Sequence, residues 1–261
     1  MKFIFICSIY MTFLSPCWTQ TLNNAFLNGH SHNDYFQKQP FTTAFEAGMA
    51  SIEADVFLWN QNLYVAHTPF DIDWTCTLDA LYVQPIVFAV RSGKAYPMQL
   101  MIDVKTSAEA TLNVLARELA RYPDVFNDKS MIKIVISGNR PTPSVWSNYP
   151  PFIQFDGRPD EVYTPEQWQR VGLVSDNFNA YKTSWWGKDI LCPKTCERLK
   201  KVLNYVHSKG KKMRFWKTPD DSRSWETLYQ LGVDFINTDS PAALKNYFKD
   251  KTNPIMLVQN L

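Results

Sequence analysis

The chain has 261 residues, and 45% of them are hydrophobic, which is enough to bury one large core. Its 27 basic and 25 acidic residues give a net charge of +2, so charge provides no reason to expect nucleic acid or an anionic membrane as a partner. The length is that of a single α/β barrel domain, and the composition leaves the oligomeric state open.

Residues 1–19 have the features of a secretory signal peptide. Lys2 precedes an apolar run over residues 3–14 that is shorter than a membrane span, and the chain then turns polar. We therefore expect cleavage before residue 20, a mature domain over residues 20–261 without a transmembrane segment, and a secreted or periplasmic protein. Lipidation at Cys17 is a less favoured alternative, because a proline precedes it where a lipoprotein signal has a small residue.

Three cysteines, Cys76, Cys192 and Cys196, lie beyond this segment. Export permits a disulfide between Cys192 and Cys196, and the sequence leaves that pairing open. Too few nitrogen and sulfur ligands accompany these residues to form a structural zinc site.

Short apolar runs alternate with helical stretches along most of the chain. This alternation is typical of βαβ units, and eight such runs predict a single (β/α)8 TIM barrel. Shorter spacing in the middle of the chain indicates that one or two crossovers are loops. The predicted strands are Ala25–Gly29, Ser51–Leu58, Gln99–Val104, Ile132–Ser137, Phe152–Phe155, Val171–Ser175, Lys212–Phe215 and Phe235–Asn237.

An additional short strand, Leu63–Ala66, is predicted to pair back on the second strand as a hairpin through residues 59–62. Helices are predicted where amphipathic stretches separate the strands. Their ranges are Phe41–Ala47, Ala108–Arg121, Pro165–Arg170, Lys194–Ser208 and Ser224–Leu231.

Two histidines follow the first predicted strand, at the edge where an α/β barrel carries its active site. His30 and His32 are two residues apart, so in an extended segment they point the same way. A lone loop histidine is usually just solvated. A pair at a strand end, followed by Asn33, favours a functional role instead.

The second strand places Glu53 and Asp55 on one face within an apolar run. Two carboxylates held this close inside a barrel are costly unless they are protonated or neutralised, and a divalent cation would neutralise them. The alternative is an outer face on which they pair with basic side chains. We disfavour it because barrel strands are buried on both faces.

The next two strands add more charged groups at the same edge. His67 follows the hairpin, and Asp103 and Lys105 share a face at the end of the third strand. Three carboxylates suit a hard cation, Mg²⁺ or Ca²⁺, rather than zinc. With two histidines and a lysine, the set fits phosphoryl transfer, in which one histidine accepts a proton and the other donates one.

The order of these groups resembles the glycerophosphodiester phosphodiesterase superfamily, which shares its barrel with phosphatidylinositol-specific phospholipase C. The resemblance covers most of residues 28–248, and the run from His30 to Tyr35 is similar to a branch of fungal Aim6-like proteins. The segments that carry it are His30, Glu53-Ala54-Asp55, His67, Asp103-Val104-Lys105, Arg214-Phe215-Trp216 and the closing Gly232–Pro241.

The resemblance implies a role for each of these side chains. His30 and His67 would be the acid–base pair, and Lys105 would contact the phosphate. The expected metal ligands are Glu53, Asp55 and Asp103, and the expected substrate contacts are His32, Asn33 and Trp216.

Departures from the family pattern leave the substrate open. Ser31 follows His30 where the family has an arginine that grips phosphate, and Thr68 replaces the usual aspartate after the second histidine. Asp103 stands where glycerophosphodiesterases usually have a glutamate. An aspartate two residues before a lysine, as in Asp103-Val104-Lys105, is similar to the sphingomyelinase D branch.

The sequence therefore predicts metal-dependent hydrolysis, or intramolecular transfer, of a phosphodiester that is glycerophosphodiester- or phospholipid-like. The alternatives are a metal-independent phospholipase C-like lyase and a non-catalytic binding barrel. An amidohydrolase-type or PHP-type metal hydrolase also opens with two histidines, but it needs further histidine ligands, and the chain has 4 histidines in all.

Overall fold

The structure, a computed structural model, describes residues 29–252, apart from the side chains of residues 250–252. The predicted signal peptide, Cys17 and most of the first predicted strand lie outside the described residues. Within residues 29–252, no helix combines the length and apolar character needed to cross a bilayer. The thiols of the three described cysteines, Cys76, Cys192 and Cys196, are free.

Eight parallel strands form a nearly closed barrel, which confirms the predicted fold. In the order of pairing, β1 is followed by β2, β4, β5, β6, β7 and β8, and β9 pairs with the other side of β1. A single parallel bridge between Arg214 and Phe235 joins the two ends of this ring. The strands are β1 Gly29–Ser31, β2 Ser51–Trp59, β3 Asn62–Val65, β4 Met98–Val104, β5 Ile132–Gly138, β6 Ile153–Gly157, β7 Val171–Asn177, β8 Met213–Trp216 and β9 Ile236–Thr238.

Strand β3 lies outside the ring and forms the predicted hairpin with β2. The two turn residues, Asn60 and Gln61, have φ values of 46° and 63°. Positive φ at both positions is the conformation that matches a two-residue turn to the twist of the strands. The hairpin carries the chain back to the barrel mouth, where His67 follows.

Helices connect most of the strands and cover the outside of the barrel. One crossover, between β5 and β6, contains only a 3-10 turn at Pro143–Asn148, which confirms the expected irregular connection. The helices are α1 Thr42–Ala47, α2 Gln84–Arg91, α3 Ala108–Leu119, α4 Pro165–Arg170, α5 Pro193–Ser208, α6 Ser222–Leu231 and α7 Pro241–Thr252. Helices α2 and α7 were not among the predicted elements.

The barrel has two separate apolar regions. The larger lies between the strands and the helices, where alternate strand residues such as Ile52, Leu100 and Ile134 are fully buried. The smaller fills the barrel interior with five side chains, Ala50, Met101, Val135, Leu173 and Phe235. Because strand residues alternate in direction, the residues two positions beyond Met101, Val135 and Leu173 also point into the barrel, above this apolar plug. They are Asp103, Ser137 and Ser175.

Candidate active site

A cavity of about 240 Å³ opens above the apolar plug, at the carboxyl ends of the strands. Its volume suits a small polar molecule or headgroup. Fourteen residues line it, and they come from seven of the eight barrel strands or the loops that follow them: His32, Asn33, Glu53, Asp55, His67, Asp103, Lys105, Ser137, Gly138, Asp156, Arg158, Ser175, Arg214 and Trp216.

Three carboxylates converge at this cavity. Glu53 and Asp55 both point inward from β2, and Asp103 is the direct neighbour of Asp55 on β4. One oxygen from each of the three groups lies within 4.8 Å of the others. Glu53 and Asp55 line the cavity inside the barrel, so the alternative of an outer face does not apply.

Basic side chains partly compensate this negative charge. The ammonium of Lys105 lies 3.0 Å from Oδ2 of Asp55 and 3.0 Å from Oδ1 of Asp103. The guanidinium of Arg214 lies 3.4 Å from Oε2 of Glu53. Burial would raise the pKa of Glu53, but the charge of Arg214 and the contact with His30 together lower it, so this carboxylate stays ionised.

The surroundings of the other two carboxylates disfavour their ionised forms. Burial raises the pKa of Asp55 and of Asp103, and the charge of Glu53 raises both further against the opposing effect of Lys105. Three close oxygen donors, two of which have raised pKa values, suit a hard divalent cation, which would favour their ionised forms. Glu53, Asp55 and Asp103 could therefore hold a metal ion.

The two neighbouring histidines of the first strand lie at different depths. Both side chains point inward, but His30 is fully buried and does not line the cavity. Its Nδ1 lies 2.6 Å from the hydroxyl of Ser51, and its Nε2 lies 3.2 Å from Glu53. Burial lowers the pKa of His30 to about 4, so the ring is neutral at neutral pH.

This placement differs from the expectation that His30 flanks the carboxylates at the barrel mouth. The predicted strand ended at Gly29, whereas β1 continues to Ser31, so His30 lies within the strand and one layer deeper. Both of its ring nitrogens are engaged by protein groups. This geometry suits a residue that orients Glu53. Of the two histidines, His32 is the one that faces the cavity.

His32 follows β1 directly and lines the cavity. Its Nδ1 lies 2.7 Å from the carboxylate of Asp239, which follows β9 on the adjacent strand. Burial would lower the pKa of His32, but the hydrogen bond with Asp239 and the charge of Glu53 together outweigh it and raise the pKa above the ordinary histidine value. The contact fixes the ring and leaves Nε2 for a substrate.

His67, the other predicted catalytic histidine, also lines the cavity. Its Nδ1 lies 2.9 Å from the hydroxyl of Tyr35 and 3.4 Å from Asp55. The same hydroxyl lies 2.8 Å from Asp55 and 2.7 Å from the side-chain oxygen of Asn33. Tyr35 therefore supports His67 in a chain that lacks the usual aspartate after that histidine.

The predicted substrate contacts Asn33 and Trp216 line the cavity, together with cations that could replace the missing family arginine. Arg158 follows β6 and pairs with Asp156 at 2.7 Å. Neither Arg158 nor Arg214 was among the predicted site residues. Their positions at the ends of β6 and in β8 are the signal that would have selected them.

The residues that prediction missed are Tyr35, Asp239 and the inward serines of β5 and β7. Tyr35 and Asp239 belong to segments that carry the family resemblance, but no role was given to either. The serines follow the inward alternation of their strands, which sets Ser137 opposite Asp103 and Ser175 opposite Arg214. The fourth histidine, His207, does not line the cavity, and its Nε2 lies 2.6 Å from the carboxylate of Asp234. No further histidine therefore reaches the three carboxylates.

Solved structures with this barrel include glycerophosphodiester phosphodiesterases. The enzyme from Parabacteroides distasonis matches with a TM-score of 0.52 and 16% sequence identity over 82% of this chain and 90% of that one. A phosphodiesterase from Oleispira antarctica, solved in complex with the product sn-glycerol-3-phosphate, matches with a TM-score of 0.52 and 12% identity over 85% and 95% of the two chains. At these identities the likeness shows the fold.

Sequence relatives identify the family. The AIM6-like phosphodiesterase domain matches residues 21–95. An Altered inheritance of mitochondria protein 6 homolog from Arthroderma benhamiae is 28% identical over 84% of this chain and 83% of its own length. Altered inheritance of mitochondria protein 6 from Kluyveromyces lactis is 44% identical over 84% of this chain and 72% of its own length. The chain therefore belongs to the Aim6 family and has the phosphodiesterase fold of the glycerophosphodiester phosphodiesterases.

Proposed function

We propose that the protein hydrolyses a phosphodiester, of glycerophosphodiester or phospholipid type, with the help of a bound divalent cation. The observation that carries the proposal is the convergence of Glu53, Asp55 and Asp103 within 4.8 Å beside two cavity histidines. Both histidines are held through Nδ1, which is how a general acid or base is oriented.

The three carboxylates are the proposed ligands of Mg²⁺ or Ca²⁺. A cation bound there would stabilise negative charge on the phosphate oxygens, which is the usual contribution of a metal to this chemistry. Lys105 lies against two of these carboxylates and lines the cavity, so its ammonium is also placed to contact a phosphate oxygen.

His32 is the proposed general acid. Its raised pKa, supported by Asp239, keeps a proton on the ring at higher pH than for an ordinary histidine. That proton would pass from Nε2 to the leaving alcohol. His30, expected from the sequence to be one of the acid–base pair, has a pKa of about 4 and both nitrogens engaged, so we propose a supporting role for it.

His67 is the proposed general base. If Nδ1 donates to the Tyr35 hydroxyl, that hydroxyl can donate its own proton to Asp55, and Nε2 of His67 carries a free lone pair. A lone pair at the cavity is what proton removal from an attacking water requires. Arg158 and Trp216 would hold the rest of the substrate.

The Oleispira antarctica phosphodiesterase supports the substrate class, since its structure contains sn-glycerol-3-phosphate. We propose a small phosphodiester of the same kind as the partner of this protein. The cavity volume of about 240 Å³ agrees with a ligand of this size.

Hydrolysis of bis-p-nitrophenyl phosphate and of glycerophosphocholine, with Mg²⁺, with Ca²⁺ and with EDTA, tests the proposal. We expect turnover that EDTA abolishes and that His32→Asn and His67→Asn each lower by at least 100-fold. His207→Asn is the matched control, because His207 also pairs with an aspartate but lies outside the cavity lining.

Three outcomes would contradict the proposal. Turnover that persists in EDTA would favour the metal-independent lyase, and a cyclic phosphate product detected by ³¹P NMR would show attack by an internal hydroxyl. A folded protein that binds phosphodiesters but turns none over would favour the non-catalytic barrel.

We also propose that the protein is exported, on the basis of Lys2 and the apolar run over residues 3–14. Expression with and without residues 1–19, followed by N-terminal sequencing of the secreted product, tests this. Secretion that does not depend on these residues would contradict it.

A further inference from the structure

Two buried oxygen atoms at the cavity have no hydrogen-bond partner among the described residues. They are Oδ1 of Asp156, on β6, and Oγ of Ser175, on β7. Each residue is only 1% exposed, and both line the cavity. A buried polar atom without a partner is costly, so a pair of them at one cavity points to a ligand that satisfies them.

The side chains around these two atoms form an ordered subsite. The hydroxyl of Ser137 donates to Oδ2 of Asp156 at 2.8 Å, and Arg158 pairs with the same oxygen at 2.7 Å. These contacts fix the carboxylate and leave Oδ1 unpaired. Trp216, on β8 next to β7, adds an aromatic surface to the same wall.

The subsite adjoins the proposed phosphate site. Ser137 is the register neighbour of Asp103, one of the proposed metal ligands, and it bonds to Asp156 on the next strand. A phosphodiester held at the carboxylates would therefore extend one of its ester groups towards Asp156 and Ser175.

The chemistry of the two atoms selects the ligand group. Oδ1 of Asp156 belongs to a carboxyl group that already accepts from Ser137 and pairs with Arg158, and it can accept a hydrogen bond, whereas the Ser175 hydroxyl both donates and accepts. An alkyl chain would leave both atoms unsatisfied. A quaternary ammonium would meet the charge of Arg158, which already neutralises Asp156. Neutral hydroxyl groups satisfy both atoms without adding charge.

We propose that Asp156 and Ser175 bind the hydroxyl groups of a polyol esterified to the phosphate and so determine selectivity for hydroxylated headgroups. The inference rests on the proposed function, because it assigns the substrate group next to the scissile phosphate. Asp156 accepts a hydrogen bond from one hydroxyl group of the polyol. The Ser175 hydroxyl donates a hydrogen bond to, or accepts one from, the same hydroxyl group or its neighbour.

Two synthetic esters with the same leaving group test the proposal: 2,3-dihydroxypropyl p-nitrophenyl phosphate and propyl p-nitrophenyl phosphate. They differ only in the two hydroxyl groups. We expect the native protein to prefer the dihydroxypropyl ester by at least tenfold in kcat/KM. Ser175→Ala is expected to reduce that preference about tenfold, because it removes one hydrogen bond.

The matched control is Thr218→Val. Thr218 also carries a buried hydroxyl oxygen without a partner among residues 29–252, but it does not line the cavity. This variant is expected to keep the preference between the two esters. A second test variant, Asp156→Asn, retains the shape of the side chain and is expected to reduce the preference as Ser175→Ala does.

The failure of this inference can be distinguished from that of the proposed function. Turnover of both esters without a preference, or a preference that survives in Ser175→Ala and Asp156→Asn, would overturn the polyol subsite alone.

If neither ester is turned over, titration calorimetry with sn-glycerol 3-phosphate and propyl phosphate provides the test. Binding that is about tenfold tighter for the glycerol ester, and lost in Ser175→Ala, would support the subsite. Equal binding would overturn it.

Discussion

At the scale of single residues, the hydroxyl of Tyr35 joins three residues that line the cavity. Its hydroxyl lies within 2.9 Å of Asn33, Asp55 and His67, and a phenol has one proton to share among them. Burial and the neighbouring Asp55 raise the pKa of Tyr35, so it keeps that proton. The hydroxyl can therefore link a proposed metal ligand to a proposed base, and it fixes the orientation of His67.

We expect Tyr35→Phe to lower kcat about tenfold while KM changes little, because the substitution removes a positioning contact and leaves the substrate groups in place. Steady-state kinetics with bis-p-nitrophenyl phosphate measures this. Tyr82→Phe is the matched control, because the Tyr82 hydroxyl bonds to Asp34, 3.1 Å away, and does not line the cavity. A large rise in KM with an unchanged kcat would contradict the positioning role.

The residues of the site were predictable to the extent that strand alternation determines them. Glu53, Asp55 and Asp103 lie in long strands, where the inward face follows from spacing by two, and Lys105 directly follows one of them. The structure brings all four together. The relative depth of His30 and His32 was not predictable in this way. It depends on where a three-residue strand begins, and alternation carries no information about that position.

At the scale of elements, the end of β5 is packed too closely for any side chain at Gly138. Its φ is +65°, and an added Cβ would lie 2.2 Å from Oδ1 of Asp103 and 2.6 Å from the carbonyl oxygen of Val104. Backbone surrounds this position, so the neighbours cannot all move away. The absence of a side chain here lets Asp103 keep its place beside Lys105.

Gly138→Ala is therefore expected to lower the free energy of unfolding by about 2 kcal/mol or more, through positive φ and the contact with Asp103. It should also weaken phosphodiester turnover. The matched control is Gly93→Ala, since Gly93 has a φ of +69° with nothing within 4 Å of an added Cβ. Urea denaturation measures both variants, and equal losses would show that contact with Asp103 is unimportant.

Helix α3 carries a carboxyl group that opposes folding at neutral pH. Burial raises the pKa of Glu118 to about 7, with a further contribution from Asp79, and Oε1 has no partner among the described residues. The folded state then binds a proton between about pH 4.5 and 7 that the unfolded state releases. Stability contributed by the protonated group is lost as pH rises through this window.

Glu118→Gln mimics the protonated form and removes this dependence. We expect it to raise the free energy of unfolding by about 1 kcal/mol at pH 8, allowing for partial exposure, and to have almost no effect at pH 4.5. Urea denaturation at both pH values measures the difference, with the exposed Glu109→Gln in the same helix as control. A variant that is equally stabilised at both pH values would refute the assignment.

All seven predicted strands that lie within the described residues are present, because each is a short apolar run between polar turns. Helix α2 was missed for a physical reason. It follows a π-helical turn at Asp79–Val83 and begins with Gln84-Pro85-Ile86-Val87, a mixture of proline and β-branched residues with low helix propensity. Its stability comes from packing, since Ile86 and Val87 are buried.

At the scale of the whole molecule, the barrel separates stability from chemistry along its axis. Apolar side chains fill the interior near the start of the strands, and charged or hydroxyl groups occupy the layers nearer their carboxyl ends. The polar layers set four carboxylates, those of Glu53, Asp55, Asp103 and Asp156, against the three cations Lys105, Arg158 and Arg214. Part of the interior is therefore electrostatically unfavourable without a further positive charge.

A divalent cation bound to this layer should stabilise the entire fold, because the unfolded chain cannot assemble the three ligands. At a free metal concentration of 100 times Kd, the linkage amounts to about 2.7 kcal/mol. For a domain of this size we expect Tm to rise by about 5–10 °C on addition of Mg²⁺ or Ca²⁺ to EDTA-treated protein. Differential scanning calorimetry measures the shift, and Asp103→Asn should abolish it.

Asp124→Asn, which changes an exposed aspartate paired with Arg91, should preserve the shift in Tm. A Tm that does not respond to either cation would remove the basis for metal assistance, since the predicted ligands would then not act as a site.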